Sequence, residues 1–442
     1  MPGQEGYDEE VAGFQTGFAQ RPALVVAARD TGDVVAAVRY AAEAGLPVGV
    51  QATGHGLPDA AEGGVLISTR RMDAVAVDAG ARTARVGAGT RWGQVVAAAA
   101  EHGLAPLNGS APGVGAVSYT LGGGLGILAR QFGYAADHVR SLDVVTADGE
   151  ARHVTADREP ELFWGLLGGG ANLGVVTGLE TGLVPVARLY GGALAFDGRA
   201  VDPAAALRAY AAWTATVPDE LTSSLAALVY PDLPQLPPHL RGRYLLTVRV
   251  AYTGSAADGE RLVAPLRAIG PAVSDDLREL PYTESHTIHS DPDFPHAYYG
   301  ESRVLRDLDT DAVARILALT GPAADHMHVV QLNHLGGALG RPADNAVPHR
   351  EAGWLLRLLS PLDGTDREAL RALYAEAFGA VRDDVIGRSL NFTFASGDRP
   401  EGLYDAGTLK RLAGLKATYD PANLFRRNYG VGDAVASVSA CR

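Results

Sequence analysis

The chain carries 54 glycines in 442 residues, about 12 per cent against a usual share near 7. The excess is crowded between Gly54 and Gly178. Glycine loses more backbone entropy on folding than any other residue, so local crowding needs a compensating reason, and close approach of backbone to a ligand is one. The crowded stretches are "QATGHGLPDA" at 51–60, "SAPGVGAVSYTLGGGLG" at 110–126 and "ELFWGLLGGGANLGVVT" at 161–177. The first sets His55 between Gly54 and Gly56, directly after the apolar run "LPVGV".

These loops are not a dinucleotide fingerprint. Gly122, Gly124 and Gly126 begin the G-x-G-x-x-G pattern, but position 127 is Ile; Gly168 and Gly170 fail in the same way at Leu173. A P-loop G-x-x-x-x-G-K-[ST] is absent as well.

Around the loops the pattern alternates between helix and strand. "DTGDVVAAVRYAAEAG" places Val35, Val38 and Ala42 at helical spacing before a stop at Gly45. "LPVGVQ" and "GGVLIST" read as buried strands flanking the His55 loop. "AVAVDAGARTARVGAG" reads as a hairpin, and "RWGQVVAAAAEHG" as a helix closed by Gly103. "LDVVTADGEARHVTA" reads as a second hairpin, with Asp148-Gly149 supplying the two positive φ values of a type I′ turn.

Beyond about Val186 the texture changes. "LYGGALAF", "SSLAALVY", "YLLTVRVAY", "HMHVVQLNHLGG" and "WLLRLLS" read as strands. "GERLVAPLRAIG" and "DREALRALYAEAFGAV" are helical stretches between them, which predicts a sheet with helices packed on one face. "YPDLPQLPPHLRG" is a proline-rich surface loop, and "YDPANLFRRNYGV" returns to loop chemistry.

Composition excludes several classes. A formal net charge of −13 argues against a nucleic-acid partner, which needs a cationic surface. Cys441 is the only cysteine, so an internal disulfide and a thiolate metal cluster are ruled out. His286, His289, His326 and His328 lack metal-ligand spacing, and no metal is expected. The acidic start "MPGQEGYDEE" lacks the regions of a signal peptide, and no apolar run approaches membrane-spanning length. A cytoplasmic protein without a membrane partner is the expectation; the oligomeric state is left open.

Five stretches carry a common order: "TGHG", "SAPGVGAVSYTLGGGLG", "FGYAADHV", "ELFWGLLGGGANLGVVT" and "YDPANLFRRN". This series resembles the vanillyl-alcohol-oxidase (PCMH-type) FAD-binding domain, and within it the berberine-bridge-enzyme and 6-hydroxynicotine-oxidase branch, over roughly residues 20–186 and 386–431. The resemblance implies an α+β fold with a two-part FAD-binding domain of that type. Residues 20–186 would form that domain, 187–385 a substrate domain whose antiparallel sheet is covered by helices, and 386–442 a segment returning to the first.

The implied cofactor is FAD. In the family the histidine that His55 matches bonds through its imidazole to the flavin's 8α carbon. Its neighbours Ala52, Thr53, Gly54, Gly56 and Leu57 would cradle the pyrophosphate with backbone N–H groups. Relatives often add a cysteine bond to flavin carbon 6; that place is Ala111, so one covalent bond is expected. The resemblance sets Val114, Gly115, Ser118 and Tyr119 along the pyrophosphate and ribityl chain, followed by Gly122, Gly123 and Gly126. Val114 matches the position that gates oxygen, and Tyr119 stands where relatives often carry a histidine near the flavin. Asn172, Gly174 and Val176 look like a clasp for the nucleotide half, joined by Asn428.

The family's base, a Glu in a strand after an "HR" pair, falls on Leu356, and the tyrosine of "Y-x-N" on Ser389. The usual base is therefore expected to be missing, and the site to work without a carboxylate. The catalytic candidates left are Gln331, Asn333, His334, Arg357, Asn391 and Tyr119. Strand alternation puts Gln331 and Asn333 on one face and His334 on the other. Arg357 offers a fixed positive charge for a carboxylate, phenolate or enolate. The resemblance implies an oxidase that takes hydride from a C–H bond next to O or N of a small metabolite, of secondary metabolism, and reduces O2 to H2O2. The missing Glu and Tyr leave a second reading, a non-redox flavoprotein scaffold that binds or cyclises its ligand.

Overall fold

The structure, a computed structural model, describes residues 1–431 apart from 235, 363, 365 and 395–399. Cys441 and the end of the expected C-terminal segment lie outside the described residues.

A parallel three-stranded sheet opens the fold, with Val65–Ser68 between Leu24–Ala27 and Val48–Gln51. Parallel strands need a crossover connection, and the helix Thr31–Glu43 carries the chain from Leu24–Ala27 to Val48–Gln51 on the far side of Val65–Ser68. It is capped by the Asp30 side chain, which accepts from Asp33 N. Val34, Ala37, Val38 and Ala41 are its buried face, rather than Val35, Val38 and Ala42. The doubled "VV" and "AA" fit the helical period in two phases, and only packing chooses between them.

A five-stranded antiparallel sheet comes next, in the order Val75–Asp78, Thr83–Gly87, Val175–Gly182, Val139–Val145 and Ala151–Val154. Both predicted hairpins lie in it. The second differs in its turn: Gly149 has φ +73° and Asp148 does not join it at positive φ. Gly149 N donates to Thr146 O at 2.9 Å and Thr146 N to Glu150 O at 3.2 Å, the pattern of a longer loop with a left-handed glycine. The Asp148 carboxylate is occupied in accepting from Thr146 Oγ1 and Glu150 N.

From Arg188 onward a nine-stranded sheet takes over, every pairing in it antiparallel. Its centre runs Tyr244–Tyr252, Leu221–Val229, Val329–His334, Trp354–Pro361 and Tyr298–Leu305. Four helices cover one face: Pro203–Thr214, Ala256–Arg267, Thr310–Leu319 and Arg367–Gly379. Two of them, Pro203–Thr214 and Thr310–Leu319, and the strand Tyr298–Leu305 go beyond the elements predicted. Side chains alternate along each strand. Val248, Val250, Leu225, Val330, Leu332, Leu356 and Leu358 join the helices in one core, which leaves Arg249, Ser224, Gln331, Asn333 and Arg357 on the other face.

The helix Ala406–Tyr419 then brings the chain back to the first half, packing on Pro160–Leu166. The segment after it is fastened by a buried ion pair. Lys416 Nζ donates to Asp420 Oδ2 at 2.6 Å, Asn172 O at 2.9 Å and Phe425 O at 3.1 Å. No helix among the described residues is long and apolar enough to cross a membrane.

Candidate active site

The uncovered face of the nine-stranded sheet and the glycine loops share one cavity of about 1250 Å³. That exceeds the roughly 300–1,000 Å³ of a single small-ligand site, which suits a cofactor together with a second molecule.

The loop after Val48–Gln51 is shaped to present backbone to this cavity. Gly54 has φ +71°, and a Cβ on it would come within 2.6 Å of Gly13 Cα. The Thr53 and Gly54 carbonyls accept from Phe14 N and Gln15 N at 2.9 and 3.0 Å. The N–H groups from Thr53 to Leu57 donate to no protein atom among the described residues. Free N–H groups along a loop with a left-handed glycine form a nest for an anion, and the pyrophosphate of FAD fits that donor set.

His55 is held in the same loop. Its Nδ1 lies 2.8 Å from Thr53 Oγ1, its ring stacks on Phe14 at 3.9 Å and 12°, and Tyr298 Oη donates to its carbonyl at 2.5 Å. Burial, then Arg91 and His296, push its pKa down to about 4. The imidazole is therefore neutral at pH 7, with a lone pair to offer. Phe14 and Tyr298, absent from the sequence-based candidates, complete this setting; nothing in their local sequence marks them.

Ala52, Leu57, Val114, Ser118, Tyr119, Gly122 and Gly126 line the cavity as expected. Gly115 and Gly123 do not. A Cβ on Gly115 would meet Ser118 Oγ at 3.1 Å and Ala52 Cβ at 3.3 Å, and Gly123, at φ +105°, faces Val347. Both shape the loop from behind. Tyr119 packs edge-on to Trp92, and its hydroxyl is buried without a partner among the described residues. Burial, then Tyr282, holds its pKa well above the usual phenol value, so it stays protonated.

Asn172, Gly174, Val176 and Asn428 also reach the cavity. The Asn172 amide donates to Gly169 O and Tyr429 O at 2.9 and 3.1 Å, and Asn428 donates to Ala171 O at 3.1 Å. These amides tie the C-terminal segment to the third glycine stretch. A Cβ on Gly174 would meet Val144 Cγ2 at 2.7 Å.

On the sheet face the candidates divide. Gln331, Asn333 and Arg357 line the cavity; Gln331 pairs directly with Arg357 across the strands, and the Arg357 guanidinium lies 3.9 Å from the centre of the Phe392 ring. His334 does not reach it. It points to the helix side, against Trp354 and 3.0 Å from Arg130 Nη1, as alternation requires. Asn391 lines the cavity but spends its amide on the loop, donating to Tyr119 O at 3.0 Å and accepting from Gly124 N at 2.9 Å. It is a positioning residue rather than a catalytic one. Leu356 is fully buried on the helix side, so a residue there could not serve as base. Ser389 is engaged with Ser302 and Thr393, off the cavity.

The sequence leads to the expectation of a site that works without a carboxylate base, yet the cavity wall does hold a carboxylate. Asp291, on the loop after the turn Tyr282–Ile288, lines the cavity and accepts from Ser110 Oγ. His289, Ser224 and Arg249 stand in the same wall. Burial and the Arg249 charge hold His289 near 3. Burial works to raise Asp291, but His289, Ser110 and both arginines outweigh it and hold the carboxyl below the usual carboxylate range. Strand alternation around "TVRVA" could have flagged Arg249, since its neighbours Val248 and Val250 belong to the core. Asp291 carried no comparable signal, lying in a loop without periodicity. Among the described residues no three His, Cys, Asp or Glu side chains group as metal ligands.

Comparison with known proteins places the fold. Residues 22–155 match the family described as FAD binding domain, and 377–432 the family described as berberine and berberine like. The chain is 29% identical to (R)-6-hydroxynicotine oxidase of Paenarthrobacter nicotinovorans over 97% of its own length and 95% of that protein. It is 25% identical to the carbohydrate oxidase of Microdochium nivale over 96% and 90%. The crystal structure of 6-hydroxy-D-nicotine oxidase from Arthrobacter nicotinovorans superposes with a TM-score of 0.84 at 26% identity, covering 97% of this chain and 96% of that one.

Proposed function

This chain belongs to the vanillyl-alcohol-oxidase type of FAD-dependent oxidoreductases, in the berberine-like branch, and we propose that it is an oxidase of a small organic metabolite with His55 carrying the flavin through one covalent bond. The observation that carries this is a single cavity joining the free N–H groups and neutral imidazole of the His55 loop to the polar face of the large sheet.

When bound, FAD would supply the redox chemistry, hydride acceptance from a C–H bond next to O or N and the return of two electrons with two protons to O2 as H2O2. The chain's residues do the rest. The N–H groups from Thr53 to Leu57 hold the pyrophosphate. Gln331, Asn333 and Arg357 orient the donor by hydrogen bonds from the sheet. Asp291, kept ionised, is the acceptor for the proton that leaves the donor's O–H or N–H as C=O or C=N forms. Ala111 stands where a second, cysteinyl bond would need a thiol, which supports a single attachment.

Acid precipitation tests the attachment. The yellow chromophore should remain with the pellet, and the intact mass should exceed that of the chain by one FAD. His55→Ala should fold and bind FAD but release it on denaturation. Release from the parent protein would refute the covalent assignment, and flavin that no donor reduces anaerobically would refute the oxidase.

A further inference from the structure

The sheet face holds more unpaired donors than hydride transfer requires. Arg249 is 9% exposed, yet its Nε and Nη1 are buried with no hydrogen-bond partner among the described residues. Ser224, its direct cross-strand neighbour, is 2% exposed and has its hydroxyl in the same condition. The register continues from Ser224 to Asn333, and one step along the same face Gln331 pairs with Arg357. Arg249 and Arg357 therefore flank a polar strip, three strands apart and two residues along, roughly 16 Å between backbones at ~4.8 Å per strand and ~3.4 Å per residue. Two long side chains can converge over that distance. All of these residues line the one cavity.

Leaving a guanidinium buried without partners costs free energy unless something that binds compensates it. Asp291 supplies one negative charge and His289 is neutral. Asp325 also lines the cavity but is exposed to solvent, where its charge is screened. The two guanidiniums over the sheet therefore face one desolvated carboxylate, and a single positive charge is left. A neutral donor would leave that charge standing. A phosphate dianion would overshoot it and face Asp291. A monoanion with two oxygens matches the charge and the fork of donors that an arginine presents.

We propose that the donor oxidised in this cavity is a monoanionic carboxylate, seated between Arg249 and Arg357 with Ser224 Oγ as a further donor. Its oxidation after binding rests on the oxidase reading, whereas the seat itself stands without it. The carboxylate is the handle, and the C–H bond that loses hydride lies elsewhere on the same molecule. The seat also accounts for Arg357, which burial pushes down to about 10, with Asp291 working against the shift and Arg249 adding to it: one carboxylate does not offset two desolvated cations, and a second anion would.

Isothermal titration of the holoenzyme with benzoate and with its neutral isostere benzamide tests the seat. Benzoate should bind about ten- to a hundredfold more tightly, the range expected for charged hydrogen bonds. Arg249→Gln should abolish that preference, and Arg249→Lys should restore part of it. Should Arg249→Gln fail to fold, judged by its thermal transition, the benzoate preference of the parent and its decline with added salt decide the matter. Benzamide binding as tightly as benzoate, no binding of benzoate, or a folded Arg249→Gln that keeps the preference would each overturn the proposal. A benzoate preference that depends on Arg249 in a protein whose flavin no donor reduces would support the seat while refuting the oxidase.

Discussion

Replacing Lys416 by methionine should unfasten the C-terminal segment from the cofactor loops. The Lys416 and Asp420 side chains are 6% and 0% exposed, with Nζ and Oδ2 2.6 Å apart. Methionine fills much the same volume but leaves Asp420 as a buried charge and removes the donor to Asn172 O and Phe425 O. Removing one partner of a buried pair costs about 3–5 kcal/mol. Asp420 keeps the N–H groups of Leu424 and Phe425, at 2.6 and 2.8 Å, which steady its charge, so the lower end, about 3 kcal/mol, applies. The loss reaches the site through Asn172, whose amide joins the cavity wall to Tyr429 O. Denaturant unfolding followed by near-ultraviolet dichroism should show the drop, and the isolated apoprotein should take up FAD more weakly. Lys416→Met with Asp420→Asn should recover at least about 1 kcal/mol, since it removes the stranded charge. A single-variant loss below about 1 kcal/mol with unchanged FAD uptake would refute the reasoning.

Val114→Leu, at a half-buried position of the cavity wall, should slow flavin reoxidation by O2 in stopped flow while costing no more than about 1–3 kcal/mol of stability for one added methylene; equal reoxidation rates would remove the gating role. Acid should weaken the fold through His334, which burial first and Arg130 second hold near 3, against an ordinary value of 6.5. Between those two values the unfolded chain binds the proton that the folded one refuses, so stability falls as pH drops below about 6.5, by at most about 1.4 kcal/mol per unit. Denaturation midpoints at pH 7.5, 6 and 5 should show a shallower slope in His334→Gln, and identical slopes would count against the assignment.

How far the sequence discloses the fold depends on whether a pattern has one physical reading. The strands "YLLTVRVAY" and "VVQLNH" are legible because apolar content and β-branched residues agree, and "WLLRLLS" because its apolar run is too short for a helix; all three lie at the centre of the large sheet. The phase of the helix Thr31–Glu43 is not, because alanine and valine on adjacent turns satisfy two faces equally. The turn at Gly149 is half legible: the glycine does take positive φ, but its partner aspartate has a better use for its side chain, accepting from Thr146 and Glu150.

The site divides along the same line. The glycine loops announce themselves because backbone exposure requires a residue type that is costly elsewhere, and the His55 loop is built as its composition suggests. Side chains that act across the sheet depend on which face is covered, a tertiary fact. One observation, that Leu356 belongs to the helix-side core, moves three residues at once. Leu356 cannot be a vanished base, Arg357 must face the cavity, and His334, in phase with Val330 and Leu332, must face away from it. The same alternation brings Arg249 and Ser224 into the wall with donors unpaired. A strand pattern read without its cover can say which residues travel together; it takes the four helices to say which set meets the substrate.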